Sequence, residues 1–275
     1  MTTVAQAVEV HRLAVAGREA VIARQLGHRV ARFWLPRSRF ADVLVLASAT
    51  LTLGPDAGAH YDRGWALNST GQPLPALEDY QQALALYRAA GDRGNTGASL
   101  SSIGLVYDGL GDHEQALTYY EQALPILREV GDRLGEAATL NKIGSVYHDR
   151  GDYERALAYC GQALSIQREA GDRAGEAATL SNVGVVHHTL GDNEQALVYF
   201  LQALPIRREV GDRDGEATTL TNLATVHRAA GNLDQAIVEL ECVVELDRQV
   251  GRPGLASDAA FLEQVRQERA SRDQT

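Results

Sequence analysis

The sequence predicts an all-α fold, a solenoid of antiparallel helix pairs stacked side by side, and three observations carry that expectation. Gly-Asp-Arg recurs at residues 91–93, 131–133, 171–173 and 211–213, a spacing of 40 each time. A second mark falls midway, at Gly111-Asp112, Gly151-Asp152, Gly191-Asp192 and Gly231-Asn232, with Gly71-Gln72 one period earlier. Each stretch between marks has the apolar spacing of a helix. Repeats of this length mark chains in which each unit buries its apolar face against its neighbours.

Taken along the chain, residues 1–56 come first, where the 40-residue period fails. Residues 3–16 read as a helix that packs on a degenerate unit, in which Ala31, Trp34 and Val43 align and Ser38-Arg39-Phe40 stands where Gly-Asp-x would be. Residues 57–250 form the regular array. There GEAATLNKIGSVYHDR at 135–150 is answered by GEAATLSNVGVVHHTL at 175–190, and GDHEQALTYYEQALPILREV at 111–130 by GDNEQALVYFLQALPIRREV at 191–210. In the first half of a unit, Leu140, Ile143, Gly144 and Tyr147 make one stripe. In the second half, Ala116, Leu117, Tyr120, Ala123 and Leu124 make another, and both have helical periodicity. The glycine after each helix supplies a left-handed C′ position, and the following Asp or Asn caps the next helix. Past Gly251-Arg252-Pro253, residues 254–270 read as a capping helix with Ala259, Leu262 and Val265 inward, and 271–275 as a frayed tail. The series Gly64, Gly104, Gly144, Gly184 and then Ala224 sits in mid-helix, where Gly costs about 1 kcal/mol relative to Ala. Close approach of two backbones is the reason the sequence suggests.

Composition excludes several classes. The chain has 275 residues, 45% hydrophobic and 23% charged, enough to bury a core. Its net charge of −10 argues against a nucleic-acid binder. Residues 1–56 carry seven arginines against four carboxylates, a net +3 that leaves −13 for the rest. The basic start suits an acidic partner surface or another copy's acidic repeats, and equally reads as ordinary variation. Cys160 and Cys242 form no CxxC or zinc spacing. The first residues lack a signal peptide's basic and apolar regions. The apolar stretch 41–53 is too short and polar to span a bilayer. The expectation is a cytoplasmic protein with no membrane and no nucleic-acid partner.

The pattern Leu-x-x-Ile/Val/Leu-Gly-x-x-Tyr/His, followed by Ala-x-x-x-Tyr/Phe and a further Ala, resembles the tetratricopeptide repeat (TPR) family. It is carried by Leu100, Ile103, Gly104, Tyr107, Ala116, Tyr120 and Ala123, and in the next unit by Leu140, Ile143, Gly144, Tyr147, Ala156, Cys160 and Ala163. It continues through Leu180, Val183, Gly184, His187, Ala196, Phe200 and Ala203, then loosens at Leu220, Leu223, Ala224, His227, Ala236, Leu240 and Val243. The 40-residue length is similar to bacterial arrays and to scaffolds of the Pins type. The N-terminal part also resembles the start of the TPR array in actinobacterial signal-transduction ATPases and regulators, although the chain holds no GxxxxGK[ST] loop. The resemblance implies a right-handed superhelix of about six helix pairs, its first helices lining a concave groove, and a role as a non-catalytic protein-interaction scaffold. The ligand it implies is a peptide or helix, and the implied role is a regulatory or signalling relay; a peptide-sensing regulator module is the alternative.

The groove positions make a polar ladder. Asn141, Lys142, Asn182 and Asn222 are candidates for holding a peptide, joined by Ser145, His148, His188 and Arg228 further along the same helices. Asn both donates and accepts, so it suits a peptide backbone; the same side chains also read as simply solvated. Tyr61 and Trp65, at i and i+4, are either a hot-spot pair or a cover for the junction with the degenerate unit. The groove lacks the basic cluster that grips a terminal carboxylate in chaperone-binding TPRs. His148 and His188 hold equivalent places and approach each other without a third ligand, a poor zinc site. Cys160 replaces an aromatic residue and reads as a buried small side chain. No metal, no cofactor and no catalytic set is expected, so the rival reading, an enzyme using the groove, is disfavoured. The oligomeric state is open.

Overall fold

The computed structural model describes residues 3–250 and 254–272; Gly251-Arg252-Pro253 and the tail beyond 272, both named above, lie outside the described residues. The described residues are helical nearly throughout. In order they form α1 (Val4–Ala16), α2 (Ala20–Trp34), a 3-10 turn (Leu35–Arg37), α3 (Phe40–Leu51), α4 (Ala57–Ser69), α5 (Pro73–Ala89), α6 (Arg93–Gly109) and α7 (His113–Glu129). They continue as α8 (Arg133–Asp149), α9 (Tyr153–Ala170), α10 (Arg173–Thr189), α11 (Asn193–Val210), α12 (Arg213–Ala229), α13 (Leu233–Val250) and α14 (Leu255–Arg272). The chain is an all-α solenoid and falls into two compact parts, residues 1–135 and 136–275.

Turn chemistry sets the helix ends. Glycines at 71, 91, 111, 131, 151, 171, 191, 211 and 231 all have φ between +68° and +80°, a conformation that costs an L side chain but not glycine. The aspartate after the turn then accepts a hydrogen bond from the N–H three residues on. Asp92 takes it from Asn95, Asp112 from Gln115, Asp132 from Gly135, Asp172 from Gly175 and Asp212 from Gly215. In the degenerate unit Ser38 takes the glycine's place, with φ +55°. The turn arginines order the same corners. Arg173 reaches Glu176 at 2.6 Å and Glu209 at 3.1 Å, and Glu176 is also held by Arg168 at 2.9 Å.

Packing is between chain neighbours, as a repeat array requires. In the first part α1 packs on α2, and so on pair by pair to α7, with α2 also touching α4. Its N-terminal core joins Ala7, Val30, Trp34, Val43, Leu46 and Ala66 from four helices. In the second part successive cores each draw on three consecutive helices. Cys160, Leu180 and Ile206 belong to one, Phe200, Leu220 and Val243 to the next, and Leu240, Leu262 and Val265 to the last. The last of these puts α14 over α13 as a cap.

The mid-helix glycines have a more specific cause than backbone contact. A Cβ on Gly104 would lie 2.6 Å from Cε1 of Tyr120, one on Gly184 2.7 Å from Cε1 of Phe200, and one on Gly144 2.6 Å from Sγ of Cys160. In each case the nearest obstacle is the side chain sixteen residues later, and the closest backbone atom, Ala156 O beside Gly144, stands at 3.1 Å. The fifth unit solves the same contact the other way round, with Ala224 and a narrower Leu240, both fully buried in one core.

Three outcomes are expected. Gly104→Ala should destabilise the protein by about 1–3 kcal/mol through overpacking. Combined with Tyr120→Leu, the pair found at 224 and 240, the double variant should lose less than the sum of the two single losses in a urea-denaturation cycle. Cys160 is fully buried and burial pushes its thiol up to about 12, whereas Cys242 is exposed. Iodoacetamide on the native protein should therefore label Cys242 alone, read by peptide mass spectrometry. Between α2 and α4, His28 Nδ1 lies 2.9 Å from Oδ2 of the buried Asp62. That hydrogen bond holds the His28 imidazolium above its ordinary 6.5, against the cost of burial and of Arg32 nearby. Burial pushes the Asp62 carboxyl up, opposed by His28. A raised folded-state pKa gives stability that is lost as pH rises through it. The melting temperature should therefore fall as the pH is taken upward from about 6.5, and Asp62→Asn should flatten that dependence.

Candidate functional site

The first helix of each pair carries the candidate residues. In the second part α10 also touches α12, so the first helices of successive pairs lie next to one another. Their apolar stripe is spent on packing: Leu140, Ile143, Leu180, Val183, Leu220 and Leu223 are all buried. Asn141, Lys142, Ser145, His148, Asn182, His188, Asn222 and Arg228 are half-buried on the same helices.

These side chains are linked from one repeat to the next. Asn182 Nδ2 donates to Asn141 Oδ1 at 3.0 Å, and the Cys160 thiol donates to the same oxygen at 3.8 Å. His148 Nε2 pairs with Thr189 Oγ1 at 3.1 Å, while its Nδ1 faces Asp149 at 2.9 Å. His188 turns instead to Asn193 at 2.8 Å. The two histidines thus have separate partners, and no group of three metal-binding side chains occurs among the described residues. Arg228 is gripped by both carboxylate oxygens of Glu268 on α14, one at 2.9 Å, and lies over the Phe261 ring at 5.5 Å. The ion pair raises the arginine and lowers the glutamate. Among the described residues nothing hydrogen-bonds the Asn222 amide.

In the first part, Tyr61 and Trp65 behave differently. Tyr61 faces the following repeat: its hydroxyl is 3.1 Å from Ser102 Oγ and its ring stands edge-on to Tyr80 at 5.4 Å. Burial pushes its phenol up, eased by the Ser102 bond. Trp65 is 42% exposed.

Several partners escaped the sequence reading, and two of them, Glu268 and Thr189, had a visible signal. Glu268 stands 40 residues after Arg228, so the period extends into α14 although its turn motif has gone. Thr189 stands 41 residues after His148, the same offset that joins Asn141 to Asn182 and Tyr61 to Ser102. A search for polar pairs one period plus one residue apart finds all three rungs.

A separate hollow of about 300 Å³ lies between α1 and α3, walled by Val8, Val15, Trp34, Val45 and Leu46. Its polar groups are engaged elsewhere: His11 Nε2 with Thr50 at 2.8 Å, Arg12 with Glu9 at 2.7 Å and Asp42 with Arg39 at 2.7 Å. Burial holds the His11 imidazole below its ordinary value. No nucleophile and base converge there, so the hollow offers apolar surface and no acid–base machinery.

No helix among the described residues is long and apolar enough to cross a membrane. No curated protein sequence matches the chain at a significant level. Among solved structures, it is similar to BtubC (BKLC) from P. vanneervenii, with 23% identity over 83% of this chain and 92% of that one and a TM-score of 0.60. It is similar also to a Rap protein complexed with competence and sporulation factor, with 16% identity, 92% and 77% coverage and a TM-score of 0.66. A third likeness is to NprR in complex with its cognate peptide NprX, with 18% identity, 90% and 72% coverage and a TM-score of 0.69. These likenesses establish the fold. The tetratricopeptide repeat model matches residues 56–129, 135–209 and 190–249. With most of its length matched and its glycine, alanine and aromatic positions in register, the chain belongs to the tetratricopeptide repeat family.

Proposed function

We propose that the protein is a non-catalytic interaction scaffold that holds an extended peptide or a helix of a partner protein along the first helices of its repeats. The observation that carries this reading is the row of half-buried amides and hydroxyls on α8, α10 and α12, joined between α8 and α10 by the Asn182–Asn141 bond and with spare donors and acceptors. Asn222 and the unused halves of Asn141 and Asn182 match the alternating N–H and C=O of a backbone. Rap and NprR, each solved with a peptide or factor bound, lend the reading support at the level of the fold. Lys142 adds a single positive charge, and Arg228, already clasped by Glu268, marks where the row meets the cap. On the first part by itself, the exposed Trp65 is an aromatic side chain of the kind that dominates binding energy.

The scaffold acts by pairing with a separate signalling protein, in keeping with a regulatory relay; a peptide-sensing regulator is the alternative within the same class. Partners are therefore protein or peptide, in the cytoplasm, with no cofactor and no nucleic acid.

Affinity capture from native cytoplasm with quantitative mass spectrometry tests the reading. Asn182→Ala with Asn222→Ala should weaken retention of the captured partner by about tenfold or more, at about 1 kcal/mol for each lost hydrogen bond, while the loss of the Asn182–Asn141 bond lowers the melting temperature only slightly and leaves unfolding cooperative. Full retention by the double variant would remove this face from the interaction.

A further inference from the structure

Each regular repeat presses the side chain at the aromatic position against the glycine opposite. Tyr120 does so on Gly104 and Phe200 on Gly184. Between α8 and α9 the place of the ring is taken by Cys160, and there a cavity of about 40 Å³ opens beside Gly144. Gly144, Cys160 and Val186, all buried, line it from within, and its rim is the half-buried Ser145, His148, Asn182 and Val185. The rim thus consists of residues of the proposed binding face.

We infer that this cavity is a specificity notch, which admits one small side chain, alanine or serine, of a peptide lying across α8 and α10. The inference rests on the groove reading above and adds to it what that groove selects. Size is the first argument. A cavity needs about 10–15 Å³ to hold one water and about 150 Å³ to take a benzene ring, so a space of about 40 Å³ suits a methyl or hydroxymethyl group. A leucine or aromatic side chain does not enter. The lining is the second, because apolar walls under a rim of Ser145, His148 and Asn182 suit a group that is apolar or carries one hydroxyl.

The third argument is the polarity fixed around the notch. Burial keeps the Cys160 thiol protonated, so it donates to Asn141 Oδ1, and Asn182 Nδ2 donates to the same atom. That assignment leaves Asn141 Nδ2 as a donor and Asn182 Oδ1 as an acceptor, neither used among the described residues. A peptide unit needs one of each. A residue whose side chain sits in the notch thus has its own backbone beside a matching amide pair.

The chain supplies the variant that tests this. Cys160→Phe installs the side chain that the neighbouring repeat already accommodates at Phe200 against Gly184, and it fills the notch. Random peptides displayed on phage are selected on the immobilised wild-type protein. Enriched sequences are then measured by fluorescence anisotropy on the wild type, on Cys160→Phe and on Asn182→Ala. The expected result is one position restricted to Ala, Ser or Gly. Changing that residue to Leu should weaken binding to the wild type by about tenfold or more. Cys160→Phe should weaken the parent peptide to a similar degree while melting no lower than the wild type. Enriched peptides that bind Asn182→Ala weakly but Cys160→Phe as well as the wild type, with no small position, would leave the groove standing and overturn the notch, which then holds only water. Failure to enrich any peptide, or binding indifferent to Asn182→Ala, would overturn the groove reading and this one with it. If Cys160→Phe does not fold, the alanine-to-leucine change in the peptide still decides the matter.

Discussion

The contact on which the rest of the structure depends is that of a mid-helix glycine with the side chain sixteen residues later. It lets the two helices of a pair approach until an aromatic ring takes the space a Cβ would otherwise fill. Its cost is intrinsic, about 1 kcal/mol per glycine in lost helix propensity, and burial of Tyr120 or Phe200, each worth a few kcal/mol as a buried aromatic, more than offsets it. The pairing is reciprocal: Ala224 is tolerated where the partner has shrunk to Leu240. Everything on the exposed side of the first helices is positioned by that contact, since Asn141, Asn182 and Asn222 lie two residues before the buried Ile143, Gly184 and Ala224 or their immediate neighbours.

Much of the fold was legible because its signals are local and repeated. The Gly-Asp marks, their left-handed glycines and the aspartate caps need only twenty residues of context. Cys160 was readable as a buried side chain because Tyr120 and Phe200 occupy its place in other repeats. The cause of the glycines was less legible. Sequence shows that space is needed but not what fills it, and backbone contact and side-chain contact predict the same glycine.

The candidate site was legible in outline only. Half-burial of Asn141, Asn182 and Asn222 follows from their phase on the helix, which sequence gives directly. Which partner each side chain takes depends on reach between neighbouring helices, and that sets His148 on Thr189 rather than on His188. Arg228 read as a groove cation, yet it is clasped by Glu268, because α14 follows the period after its turn signal has faded. Tyr61 and Trp65, adjacent on one helix face by spacing, are divided by burial, the first tied to Ser102 and the second open.

The rung between Arg228 and Glu268 spans 40 residues, and that between Asn141 and Asn182 spans 41. An in-frame loss of residues 173–212 would bring Asn222 into the place of Asn182 opposite Asn141, but it would also bring Ala229 into the place of Thr189 and cost His148 that rung. What a whole step of 40 residues does preserve is the fit of a mid-helix small residue against the side chain sixteen later, so the array changes length in repeats while its polar rungs are set unit by unit.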